Sequence, residues 1–365
     1  MSIINKIRPH LRWLPSYLWQ RLTRRAPGAG VHLIIALADH FEPSIMPGRP
    51  GTFAPRDEQL RRLKRWCAEY PGAVDRWRDS DGRPFKHTHF SPAEQYDKEQ
   101  IDVLAEHCRG GWGEVEVHLH HGIQSADTAE NTRQMLSGFR DALVKHGCLA
   151  KDKVTGEVRY GFVHGNWALA NSANGKYCGV DSEMQVLADT GCYGDFTLPS
   201  APSAAQTAKI NSLYECGAPL EEQAPHRIGT DLRMGVAPSV FPLIVQGPLT
   251  LDLERKKIDN SELSGPNPAT LHRLRLWKNA AICVEGRQDW VFIKLHCHGM
   301  DPRDESAMFG SAMQDFLRQL SEKRHGDDVV HYVSCREMTN IILAACDGKS
   351  GNPAEFRDYR FVLNA

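Results

Sequence analysis

A chain of 365 residues with a formal net charge of −1, 41% hydrophobic and 24% charged, can bury a large core and carries no overall charge that would draw it to nucleic acid. No run approaches the ~20 apolar residues that cross a bilayer, and the apolar stretch at residues 3–7, interrupted by Pro, His and Arg, is no secretory signal. The ten cysteines are scattered without a CxxC, which excludes a short disulfide framework and a four-cysteine zinc site and points to reduced thiols in the cytoplasm.

The first 38 residues hold six Lys or Arg and no acid, interleaved with Leu11, Trp13, Leu14, Tyr17, Leu18, Trp19 and Leu22. Residues 1–28 therefore read as a basic amphipathic arm. It either packs on the outside of the domain or rests on an anionic membrane surface, peripheral to the inner membrane.

Residues 31–38 are a nearly continuous apolar run, the pattern of a strand covered on both faces. It stops at Asp39 and His40, and polar groups at such strand ends are where α/β folds place chemistry. After a Pro/Gly-rich loop at 43–55, residues 56–70 predict a helix with Leu60, Leu63, Trp66 and Cys67 on one stripe, ended before Pro71. Residues 85–90 predict a strand. Ser91, Pro92 and Glu94 then supply a cap, a Pro at the first position and an acid at the third of a helix through Ile101, Leu104 and Cys108.

Residues 114–122, EVEVHLHHG, alternate strictly, with Val115, Val117 and Leu119 on one face and Glu116, His118 and His120 on the other. A capping box from Asp127 to Glu130 opens the next helix, through Phe139 and Leu143 to Gly147. Residues 158–164 form a strand running into HGNWAL, 182–190 a helix and 192–198 a short strand. Residues 199–265 are the least periodic part and read as a long loop insertion over the site. Asn267 and Pro268 start another helix. Residues 291–298 repeat the histidine pattern, with Phe292, Lys294, His296 and His298 sharing a face. A helix from Asp301, a strand at 329–333 and a helix capped by Ser334 and Glu337 complete the series, and residues 351–365 read as a tail.

This β-α alternation predicts a parallel sheet. Asp39, His118, His164, Asp195 and His296 all fall at C-terminal strand ends, which a closed barrel would bring to one rim. The expected fold is thus one distorted (β/α) barrel of about seven strands, glycoside hydrolase/deacetylase type, spanning residues 29–350.

Asp39, His118 and His120 would give one oxygen and two imidazole ligands, a usual set for a divalent metal, zinc by its donors, with an open water position. His121 competes with His120 for the second histidine place. His296 is the candidate general acid, and Glu42 and His40 are the candidate bases. His164, Asn166, Trp167, Asp195 and His298 are the candidate substrate contacts, since indole faces stack on sugar rings and amides bond hydroxyls.

The order of these motifs resembles the NodB-like polysaccharide deacetylases (carbohydrate esterase family 4), over residues 31–300. LADHFEP stands where that family has T-F-D-D-G, KHTHFSPAEQ where it has a strand followed by a helix, and EVEVHLHHG where it has its histidine motif, matching Glu114 and His118. GCYGDFTLPSAPS, around Asp195, and KLHCHG are similar to its last two motifs. The paired aspartates reduce here to Asp39 followed by His40, the fourth residue after His118 is Gly122, and HGNWAL replaces the arginine-proline motif. The resemblance implies metal-dependent hydrolysis of the N-acetyl group of a sugar or polysaccharide precursor, with His296 protonating the amine. An amidohydrolase-type metal hydrolase, whose HxH pair looks like His118 and His120, and a non-catalytic carbohydrate-binding relative are the alternatives.

Overall fold

The computed structural model describes residues 12–49 and 51–363. The part of the basic arm before residue 12, Leu11 included, lies outside them. The strands are β1 (His32–His40), β2 (His87–Pro92), β3 (Gly113–Leu119), β4 (Ala150–Asp152), β5 (Val158–His164), β6 (Cys192–Asp195), β7 (Leu213–Cys216), β8 (Gly229–Asp231), β9 (Leu243–Val245), β10 (Thr250–Asp252), β11 (Lys257–Asp259), β12 (Glu262–Leu263), β13 (Trp290–Cys297), β14 (Val329–Val333) and β15 (Phe361–Leu363).

Strand β1 is the axis of a large, mostly parallel sheet in a mixed α/β fold. Its apolar run is buried on both faces: Leu33, Ile35 and Leu37 join one core, and Ile34, Ala36 and Ala38 join the other. One edge of β1 pairs with β13 along its length. The other pairs with β14 over His32–Ala36 and with β2 from Ala38 to His40. The sheet runs in the order β12-β13-β1-β2-β3-β5-β6-β9-β7-β8.

The closed barrel is corrected by this pairing, which among the described residues does not form a ring. At the far edge β7 and β8 turn back antiparallel instead of continuing the parallel series. The near edge stops at the two-residue β12. The histidine-bearing strands nevertheless meet without closure, because β13, β1, β2, β3 and β5 are successive in the sheet.

The helices are α1 (Leu14–Thr23), α2 (Arg56–Val74), α3 (Lys98–His107), α4 (Ala129–Lys145), α5 (Glu183–Thr190), α6 (Leu271–Asn279), α7 (Glu305–Met308), α8 (Ser311–Ser321) and α9 (Cys335–Cys346). Helix α9 is buried along its whole length. It opens with the capping box expected at Ser334 and Glu337, and it is tied to β3 by a buried ion pair in which Arg336 Nη2 lies 2.7 Å from Glu114 Oε1. Glu114 therefore faces α9, away from the histidines that follow it in sequence.

Several local expectations are revised. Pro71 lies inside α2, not beyond its end, and His107 hydrogen-bonds the backbone of Cys67, four residues before the missing N–H. Ser91 and Pro92 finish β2, Asp97 caps α3 in their place, and Glu94 is released from any capping role. Thr128 caps α4, and Asp127 turns to His121. Residues 199–265 contain β7–β12, three of which extend the main sheet, and the tail carries β15, paired antiparallel with β4.

Helix α1 docks on the domain by one side only. Trp13 is fully buried with Ala201, Ile210 and Leu249, and Gln20 and Arg24 donate to the carbonyls of Ile210 and Asn211. Leu18, Trp19 and Leu22 on its other side are exposed. Among the described residues no helix is long and apolar enough to cross a membrane.

Candidate metal centre

Strand alternation sends Asp39 and His40 to opposite faces of β1. His40 turns to the face shared by His118 and His296, and its ring centre lies 4.8 Å from His118, 4.8 Å from His298 and 6.4 Å from His296. Asp39 turns to the face covered by α2 and α3. There its Oδ2 is 2.8 Å from His87 Nδ1, its Oδ1 accepts the Gly299 N–H at 2.7 Å, and His89 lies beyond. The set expected from the sequence, Asp39 with His118 and His120, is therefore not assembled.

The oxygen beside the two histidines comes instead from Glu42. One donor atom each of Glu42, His118 and His120 lies within 4.8 Å of the others. Both imidazoles are held by their Nδ1 atoms. His118 Nδ1–H donates to the Val163 carbonyl at 2.8 Å, which leaves its buried Nε2 with no hydrogen-bond partner. His120 Nδ1 is 2.7 Å from Glu94 Oε1, and its Nε2 is 3.2 Å from Glu42 Oε1. Fixing a ring through one nitrogen and offering the other is the arrangement metal-binding histidines usually show.

Burial and the neighbouring His120 hold the His118 ring well below the ordinary imidazole range. Burial does the same at His40, helped by His298 and His118. Burial also works against charge on His120, but the Glu94 hydrogen bond and the nearby Glu42 prevail and raise it. Glu42 is pushed up by burial, against the pull of His120. His120, Glu42 and Glu94 keep part of their side chains in solvent, so the group is reachable from one side.

His296 stands behind His40 with Nδ1 unpartnered and buried, and burial followed by the Lys294 charge keeps its ring well below the ordinary range. His298 lies nearer the opening and is only half-buried. Trp167 and Asn166 are also half-buried, and Trp167 holds a left-handed backbone with φ of 58°, an uncommon conformation for a bulky residue.

Two expected substrate contacts are placed elsewhere. Asp195 is wholly buried, where it accepts from the Thr197 hydroxyl at 2.8 Å, and burial pushes it up to about 7. His164 is also wholly buried and faces His121, Cys178 and Glu183. His121 belongs to that group as well, with Nδ1 2.8 Å from Asp127 Oδ2 and Nε2 2.8 Å from Glu183 Oε1. The choice between His120 and His121 thus falls to His120 beside His118.

Sequence reasoning missed Glu94, Cys178, Glu183, His87 and His89. The alternation of KHTHFSP did carry a signal for His87 and His89, because it puts both imidazoles on one face. Glu94 looked like a helix cap and Cys178 like one more scattered thiol. No protein-family model matches this chain, and no curated protein matches it significantly.

Proposed function

We propose that this chain is a metal-dependent hydrolase whose divalent ion, zinc by its donors, is held by Glu42, His118 and His120. The observation that carries the reading is the shared support of the two imidazoles. Val163 and Glu94 fix their Nδ1 atoms, and both Nε2 atoms are left for a common ligand next to a carboxylate. Two histidines and one carboxylate are a usual catalytic zinc set, with a position left for water or substrate. When bound, such an ion supplies Lewis-acid activation of water near neutral pH.

The chain's own groups have distinct parts in this reading. Glu94 orients His120. His40, with a free Nδ1 and a ring kept neutral, accepts a proton from the attacking water. His296 relays a proton to the leaving nitrogen, and His298 borders the opening. Trp167 and Asn166 on the adjoining loop offer an apolar ring face and an amide to a sugar. The substrate class, an N-acylated sugar or polysaccharide precursor, rests on the motif order shared with NodB-like deacetylases, and the open, curled sheet would be a departure from their distorted barrel. The ten free thiols and the exposed side of α1 support a cytoplasmic place at the inner membrane surface.

The test is zinc content together with acetate release from N-acetylated chitooligosaccharides, for the full chain and for His118→Ala. Bound zinc that His118→Ala removes, with acetate release lost alongside it, is the expected result. Zinc content unchanged by His118→Ala would overturn the site. A second reading, a carbohydrate-binding relative without catalysis, is favoured by one observation: both Asp39 oxygens are committed away from His118. Oligosaccharide binding without acetate release would select it.

A further inference from the structure

We propose that His121, His164, Cys178 and Glu183 form a second, closed metal site that holds a structural zinc ion. The four donors are two imidazole nitrogens, a sulfur and a carboxylate oxygen. They are all buried and lie within 4.8 Å of one another. They come from the residues after β3, the end of β5, the 165–182 loop and the first turn of α5. Four protein donors with no exposed face describe a structural ion, whereas a catalytic one keeps a position open.

The surroundings are built for ligands. His121 Nδ1 is held by Asp127 Oδ2, a carboxylate behind an imidazole, so Nε2 is the nitrogen aimed inward. Glu183 Oε2 accepts the Ala170 N–H at 2.6 Å, which leaves Oε1 between His121 and His164. Cys178 Sγ accepts the backbone N–H groups of Asn171 and Val180, each at 3.4 Å, an environment that favours sulfur carrying negative charge. His164 Nε2 supplies an independent sign. It is wholly buried, it has no hydrogen-bond partner, and the nearest Glu183 oxygen is 3.6 Å away.

The loop is clamped where the ligands converge. Asp127 N–H donates to the Cys178 carbonyl at 2.8 Å, and Tyr177 N–H to the Gly122 carbonyl at 2.9 Å. Gly122 has a φ of +62°, and a Cβ there would sit 2.2 Å from the Cys178 carbonyl oxygen. No other residue type permits this approach of the two loops without displacement.

Binding is written as Zn²⁺ replacing the proton on His121 Nε2 and the proton on Cys178 Sγ, with both protons released to solvent. The two negative ligands then balance the ion. The 2.8 Å between His121 Nε2 and Glu183 Oε1 is a hydrogen-bond length. Zinc legs of about 2.0–2.1 Å would part these atoms to roughly 3.3 Å. The Asn166 N–H contact to His164 Nδ1, 3.2 Å, would be given up as that nitrogen takes the ring proton.

The Glu42, His118 and His120 group contains no sulfur, so zinc-edge X-ray absorption on the full chain, purified with zinc, reads this site independently. A zinc–sulfur path near ~2.3 Å is expected. Cys178→Ser should abolish it with loss of one zinc equivalent, and His118→Ala should leave it intact. Absence of the sulfur path from the zinc-supplied wild-type chain would overturn the site, as would a path that survives Cys178→Ser. The wild-type spectrum decides the matter even where the serine variant fails to fold.

Discussion

Glu94 holds His120 at two points: its Oε1 lies 2.7 Å from the ring Nδ1, and its Oε2 accepts the backbone N–H at 3.2 Å. The carboxylate therefore sets both the ring's rotation and the position of the chain that carries it. Glu94→Gln should leave the fold intact and weaken zinc binding at the His118 site by about 10–100-fold. Zinc titration of the purified variant reads this, and unchanged affinity would remove Glu94 from the centre.

Gly165 touches the same ring from the other side. A Cβ at this position would meet His120 Cδ2 at 2.3 Å, far inside van der Waals contact. Gly165→Ala should turn His120 away from Glu42 and lower zinc affinity by roughly 10-fold or more without altering any ligand. Circular dichroism and zinc titration together separate this from unfolding.

Glu116 lies on the inner face of the sheet, where Gly161 N–H and the Tyr193 hydroxyl donate to it, and burial pushes its carboxyl up to about 8. A carboxyl raised from 4.5 to about 8 on folding binds more protons in the native state. Its contribution is thus complete below about 4.5 and is lost as pH climbs to about 8. The stability difference between wild type and Glu116→Gln should shift toward the variant across that window, by a few kcal/mol at most. Denaturant unfolding at a series of pH values measures it, and a difference that does not change with pH would contradict the burial argument.

The Glu114–Arg336 pair joins β3 to α9 with both groups buried. Glu114→Ala strands the guanidinium and should cost about 3–5 kcal/mol. The double variant Glu114→Leu/Arg336→Met removes both charges and should cost less than Glu114→Ala alone. Thermal unfolding of the three proteins decides the order.

Helix α1 leaves Trp19 at 68% and Leu22 at 84% exposure beside Arg21 and Arg25. The full chain should float with vesicles containing anionic lipid and not with purely zwitterionic ones, and Trp19→Ala/Leu22→Ala should reduce this several-fold. Equal behaviour with both vesicle types would dispose of membrane contact.

The sequence by itself determined which elements exist and where chemistry gathers. Period-two alternation marked β3, β5, β13 and β14, because a strand buried on one or both faces must sort its apolar side chains by parity. The same parity put His118 and His120 on one face with His296 on a similar strand, and parallel strands bring such ends to one edge. What only the tertiary structure decided was which donors meet. Asp39 and His40 are adjacent in sequence yet belong to different faces of one strand, so Asp39 joins His87 and His89 while Glu42 takes the place beside His118. His120 and His121 part in the same way, one toward Glu42 and the other toward Glu183. Cys178 and Glu183 carry no spacing that announces a ligand. Loop geometry and sheet order bring them to His121 and His164, and local patterns in a chain do not encode such distances.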